Sequence, residues 1–423
     1  MSDTAEPSGE QTTEALAARW RRTGREIVNG SILTSLLAVV IALVVGAILI
    51  ALSNAGVQSA FGYFFARPGA SLAAIGRAVG NAYSALFNGA ILNIKGGYSV
   101  GTVLKPLTDT LTQATPLIIG GLGLGIGFRA GLFNIGGQGQ IIVGGIACAW
   151  VSFAWNLPAG LHVIVAVVAA IVGGALWGFI PGILRATVGA NEVITTIMLN
   201  YVALNLVAYL LTFRAWQAVS GQPQSPPALA NSRFPYLFGS GNSTDWGFVL
   251  ALLVAVGVWW LMERSTLGFR LRAIGANPDA ATTAGIKTAR GYMWCLVIGG
   301  ALLGLVAATQ LLGADSKQIL NSDIAGTFGF DAITVALLGR NRPLGTVLAG
   351  LLFGALKAGG YAMQLYTPID VVLVLEAVIV LFIAAPPLVR TIFRLPDPER
   401  RPSKRQRRRA AARPAEQTVE VTA

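Results

Sequence analysis

The sequence predicts an all-α polytopic membrane protein with about ten transmembrane helices. Three observations carry that expectation. Hydrophobic residues make up 54% of the chain and charged residues 12%, about half of the roughly 25% that a water-facing surface uses. Uncharged apolar runs of about 20 residues, the length that crosses a hydrocarbon core, recur along the chain. Glycine is abundant at 51 residues, and small residues let membrane helices approach closely.

The spans follow in order. Residues 31–52 are uncharged and trail a basic stretch. They are long for a signal-peptide core and sit behind a polar N-terminus, which makes them a retained first span. Residues 110–128 form the second. From 130 to 184 there is no Asp, Glu, Lys or Arg, and the turn Asn156-Leu157-Pro158-Ala159-Gly160 divides that run into spans near 139–156 and 161–183. Spans at 193–213, 246–262 and 291–314 come next. The last three are less regular: 324–339 holds Asp331, 343–363 holds Lys357, and 371–389 holds Glu376. The resulting plan is an N-terminal tail (1–26), a transmembrane domain (27–390) and a basic C-terminal tail (391–423), with both termini on the cytoplasmic side.

Charge supports this plan. Short cytoplasmic loops concentrate Lys and Arg; with the N-terminus inside, 23 of the 31 basic residues fall inside and 7 outside. Two outer segments exceed simple turns. In 53–104, Leu72, Ile75, Val79, Tyr83 and Leu86 follow a helical period, which predicts an interfacial helix flat on the outer leaflet. In 214–245, Pro223, Pro226, Pro227 and Pro235 oppose helix, leaving either a solvated loop or a docking surface. The arginine-rich run 400–409 suits a disordered topology anchor or anionic lipid rather than nucleic acid. Cys148 and Cys295 read as small core hydrophobes, and neither a disulfide framework nor a zinc pattern exists. His162 opens an apolar run and reads as interfacial.

The longest inner loop, 263–290, carries a complete short-helix signature. Asn277 caps the first free N–H groups. Pro278 suits the first helical position. Asp279 complements the dipole, Ala280 and Ala281 extend the turn, and Gly285 takes the left-handed closing conformation. The product is a doubly capped helix of about two turns with a small polar face, either a linker or a rigid knob for a cytosolic partner.

This loop resembles the coupling-helix region of permease subunits of ATP-binding-cassette importers for simple sugars and nucleosides. Three further segments agree: Phe128-Arg129-Ala130-Gly131-Leu132-Phe133-Asn134-Ile135-Gly136-Gly137-Gln138-Gly139-Gln140, Asn191-Glu192-Val193-Ile194-Thr195-Thr196-Ile197-Met198-Leu199-Asn200-Tyr201, and Gly329-Phe330-Asp331-Ala332-Ile333-Thr334-Val335-Ala336-Leu337-Leu338-Gly339. The second is similar to the nucleoside branch in particular. The match runs collinearly over about 30–390; the family often has Glu where this chain has Gln138.

The resemblance implies a bacterial cytoplasmic-membrane complex of two permeases, non-identical by the pattern of the nucleoside branch, two ATPase sites and an extracellular substrate-binding lipoprotein. Asn277, Pro278, Asp279, Ala280, Ala281 and Gly285 would then couple to the ATPase. This chain has no Gly-x-x-x-x-Gly-Lys-[Ser/Thr] loop, so ATP and Mg belong on another polypeptide, and no cofactor is expected here. A riboflavin-type importer permease, an ion-coupled secondary transporter and a channel remain as alternatives.

Polar groups inside spans suggest a path. Asn134, Gln138 and Gln140 lie in a glycine-rich stretch that tolerates irregular backbone. Asn200 is mid-span, with Asn205 beyond it. Amides both donate and accept, as sugar hydroxyls and base edges require, and Asp331 suits a ribose; interhelical hydrogen bonding is the competing reading. Glu192 beside Asn191 reads as dipole capping. Lys357 and Glu376, at similar depths on the last hairpin, predict an ion pair.

Overall fold

The computed structural model describes residues 31–93, 100–239, 242–314, 316 and 318–394. The tail at 1–26 and the arginine-rich run lie outside these. By contacts the chain divides into Ile50–Glu376 and a second unit of the terminal segments; the packing and the sites described below belong to the first unit.

Most of the described residues are helical, and the only strand pairing among them is an isolated β-bridge between Tyr236 and Asp245. The helices are α1 (Ser31–Ser53), α2 (Ala55–Phe61), α3 (Pro68–Ala90), α4 (Val100–Arg129), α5 (Gly137–Ala154), α6 (Leu161–Val188), α7 (Glu192–Leu210), α8 (Trp246–Arg264), α9 (Thr266–Ala276), α10 (Pro278–Thr283), α11 (Thr288–Leu312), α12 (Phe328–Leu338), α13 (Pro343–Met363), α14 (Ile369–Ala384) and α15 (Pro386–Ile392). Every expected span coincides with a helix, and the helices differ in length among the described residues. Seven helices (α4, α5, α6, α7, α8, α11 and α13) are long and apolar enough to cross, or eight if α1 and α2, bent by 76°, make one span. At 11 residues, α12 reaches only about 16 Å, half of a hydrocarbon core.

The core is assembled by backbone-to-backbone contact. Three helices, α5, α6 and α11, meet at Gly144, Gly173, Gly174 and Gly304. A Cβ built on Gly144 falls 2.5 Å from the Gly304 Cα and 3.0 Å from the Ala170 carbonyl oxygen. One built on Gly173 falls 2.9 Å from the Val143 oxygen. Backbone cannot retreat as a flexible side chain can, so these positions admit no side chain. Lipid offers no hydrophobic drive between helices, and close approach supplies the dispersion energy instead.

Two segments outside the expected spans pack against the bundle. The helix expected within 53–104 exists as α3, and its C-terminal part packs on α13. Gly89 faces Gly359, and the Thr110 hydroxyl donates to the Ala90 oxygen at 2.6 Å. Ser71, Ala82 and Ala90 are buried, and of the expected stripe Ile75, Val79, Tyr83 and Leu86 are half-buried while Leu72 is exposed. The Pro-rich stretch 214–245 is likewise no free loop. Ser225 N and Ala228 N donate to Leu320 and Gln318 carbonyls at 2.9 and 2.8 Å, and Phe234 N donates to Leu312 at 2.8 Å. His162, the second residue of α6, is fully buried, with its Nε2 2.9 Å from the Val151 oxygen. Cys148 and Cys295 are free and buried, as expected.

Gly304→Val should lower the thermal stability of the purified protein sharply, at or beyond the ~1–3 kcal/mol of an overpacked core. Gly257→Ala, where nothing lies within 4 Å, should leave the melting midpoint near that of the wild type. Equal midpoints for Gly304→Val and wild type would contradict the seam.

Candidate functional site

The exposed helix α10 forms as its sequence specifies. The Asn277 Oδ1 accepts from Asp279 N at 3.0 Å and Ala280 N at 3.1 Å, and Pro278 occupies the first turn. At the other end Gly285 has φ +82°. Gly285 N donates to Thr282 O at 2.9 Å and Ile286 N to Ala281 O at 3.0 Å, the paired bonds of a Schellman closure. Around the helix, Asn277 to Ala280 and Thr282 to Gly285 are exposed, and Ala281 alone is buried.

This knob is mounted on the bundle through α9. Leu271 and Ile274 of α9 are buried, and Ile274 lies against Gly291 at the start of α11. Gly275 sits against the carbonyl of Arg129, the last residue of α4. Glu263, at the end of α8, bridges Arg129 at 2.7 Å and Arg272 at 2.8 Å. These charges are 20–37% exposed, and such pairs contribute about 0–1 kcal/mol. Burying Leu271 and Ile274 contributes about 1.5–3 kcal/mol each, so packing holds the mount and the ion network orients it. The ends of α4, α8 and α11 therefore converge on a single base.

The amides predicted for the path converge on the start of α5. Between α4 and α5 the chain is irregular, with Gly131 at φ +75°. Asn134 accepts from Gly136 N at 2.9 Å and donates to the Gln140 Oε1 at 3.1 Å. From α7, Asn200 donates to the Ile135 oxygen at 3.0 Å and accepts from Gly139 N at 2.8 Å. Gln138 donates to the Gly326 carbonyl and accepts from Gly329 N at 3.2 Å. Thr196, not singled out from sequence, receives Ile135 N at 3.3 Å. These side chains satisfy backbone groups that a helix start leaves open. Asn134 and Gln140 are buried, while Gln138 and Asn200 are half-buried; Asn205 is exposed and donates to the Tyr201 oxygen at 2.8 Å. On α7, Asn191 caps Val193 N and Ile194 N, and Glu192 lies 3.4 Å from the Arg185 Nε.

The expected Lys357–Glu376 pair is replaced by another. The Lys357 Nζ lies 2.9 Å from the Asp331 Oδ2 and 3.1 Å from the Thr327 Oγ1, whose hydroxyl donates to the same carboxylate oxygen at 2.6 Å. Glu376 instead meets α13 at Gly360, one turn from Lys357, where the missing Cβ leaves room for its carboxylate. The reason is length and dipole: the lysine stem reaches across to α12, where Asp331 stands in the first turn and complements the positive helix end.

Lys357→Met should destabilise the protein by up to about 3–5 kcal/mol, because it strands a half-buried carboxylate. Adding Asp331→Asn should restore most of the loss in melting midpoint; adding Glu376→Gln should not. Rescue by Glu376→Gln in place of Asp331→Asn would reinstate the hairpin pair.

Comparison with known proteins bears on what this arrangement serves. Residues 107–384 match the family described as "Branched-chain amino acid transport system / permease component". The guanosine ABC transporter permease protein NupP of Bacillus subtilis (strain 168) is 39% identical over 75% of this chain and 89% of its own length. The nucleoside ABC transporter permease protein NupB of Lactococcus lactis subsp. cremoris is 35% identical, over 66% and 79%. The glucose ABC transporter permease protein TsgB13 of Haloferax volcanii is 34% identical, over 66% and 75%. No solved structure matches. A polytopic helical bundle with a doubly capped external helix, matched along two thirds of its length, belongs to this family: the chain is a permease subunit of an ABC transporter.

Proposed function

We propose that this subunit carries nucleosides inward across a bacterial cytoplasmic membrane, with both termini cytoplasmic. An extracellular binding lipoprotein delivers the substrate, a second, non-identical permease completes the pathway, and a separate ATPase chain binds ATP and Mg. The observation that carries the reading is α10: a rigid exposed knob of six residues whose base joins the ends of three long helices. A motor's stroke needs such a rigid contact, and a channel or an ion-driven carrier has no use for one. The guanosine and nucleoside relatives favour that substrate class; the glucose relative keeps a simple sugar as the second reading.

In this reading the amide knot holds the wall of the path. Asn134 and Gln140, being buried, shape it. Gln138, Asn200 and Asp331 retain partial exposure and border it, with Asp331 held in place by Lys357.

Membrane vesicles holding the whole complex should show ATP-dependent accumulation of labelled guanosine and other nucleosides ahead of glucose, pentoses and riboflavin. Accumulation of a sugar or riboflavin but of no nucleoside would overturn the substrate class. Gly285→Val imposes a left-handed residue that costs about 1–2 kcal/mol. It should leave the bundle folded while nucleoside-stimulated ATP hydrolysis falls severalfold; unchanged stimulation would remove α10 from the coupling path.

A further inference from the structure

A polar cleft of about 580 Å³ lies between α3, the start of α4 and the end of α13. On its α3 wall, Asn81, Ser84 and Asn88 stand three and four residues apart, one helical face. The α4 wall contributes Lys105 and Asp109, and the α13 side contributes Tyr361, with Tyr366 just beyond that helix. The geometry points to this cleft as a nucleoside-receiving subsite of the permease, a statement that rests on the nucleoside reading above.

Four features support it. First, the walls are fixed before any ligand arrives. Gly89 lies flush on Gly359, Thr110 ties the end of α3 to α4, and Asn93 N donates to the Val103 oxygen at 3.1 Å. A preformed site avoids the ordering cost that a flexible one incurs on binding. Second, its chemistry is that of a neutral ligand with a polar and a flat half. One cation and one anion balance, while the amides and hydroxyls offer donors and acceptors together, as sugar hydroxyls need.

Third, Tyr361 and Tyr366 are 59% and 49% exposed, which leaves aromatic faces open for a base to stack on. The Asp109 carboxylate accepts from the Ser243 hydroxyl through Oδ1, which orients the side chain and leaves Oδ2 for a ligand hydroxyl. Fourth, the cleft and the base of α10 lie at opposite ends of one continuous helix. Helix α4 runs 30 residues from beside Lys105 to Arg129, roughly 45 Å at 1.5 Å per residue, so the receiving end and the motor end are separated by a membrane's thickness. One turn along α13 from Tyr361 stands Lys357, paired to Asp331, which puts the next polar group on the same helix face.

The test uses the complete complex in nanodiscs. Both native cysteines are buried, so Ala85→Cys, in the cleft wall, provides a distinct accessible thiol. Its labelling by a water-soluble cationic thiosulfonate is timed with and without guanosine in excess over the binding protein. Guanosine should slow labelling. Adding Tyr361→Ala should raise the half-protecting guanosine concentration about five- to hundredfold, the loss of one base–aromatic stack, and Tyr361→Phe should restore protection. Wild-type nucleoside uptake combined with labelling that guanosine does not slow overturns this subsite alone. Failure of the wild-type complex to take up any nucleoside overturns the proposed substrate class and the subsite with it.

Discussion

The close approach of α6 and α11 is the contact on which the bundle depends. Gly174, Gly300 and Gly304 meet across this interface, with Ala170 and the α5 glycine Gly144 completing it. In lipid the helices gain little from hiding apolar surface from each other, since the tails are as apolar as leucine. What remains is dense van der Waals contact, and that is strongest where side chains are absent. Once these backbones touch, their neighbours have few alternative positions, and the ends of α4, α8 and α11 arrive together under α9.

Irregular backbone at membrane depth must also find its hydrogen-bond partners within the protein. The start of α5 does so with side chains from elsewhere: Asn200 from α7, Thr196 one turn before it, and Gln138 reaching to the chain ahead of α12. The amides proposed to border the path therefore also weld three helices. Both roles are compatible where exposure remains, at Gln138 and Asn200, and the welding role stands alone for the buried Asn134 and Gln140.

Charge inside the bundle follows the same economy of partners. Lys357 is flanked by two carboxylates, Asp331 on α12 and Glu376 on α14. It pairs with Asp331, which also accepts a hydroxyl from Thr327 and sits at a positive helix end. The ammonium lies 5.6 Å over the Phe328 ring as well. Such a cluster satisfies more of the lysine's donors than a lone pair across the hairpin, and it fixes the short α12 against α13.

The sequence by itself determined the helical class, the position of nearly every span and the whole of α10. Each of these rests on local information: apolar run length, or capping residues within eight positions of one another, as from Asn277 to Gly285. The tertiary structure decided what depends on which helix faces meet. It chose Asp331 over Glu376 for Lys357, buried His162, docked the end of α3 on α13, and stitched 214–245 onto the ends of α5 and α11. It also brought Asn88, Lys105 and Tyr361, far apart in the chain, to one cleft. Periodicity reports that a helix has a face; only packing selects the neighbour that face receives.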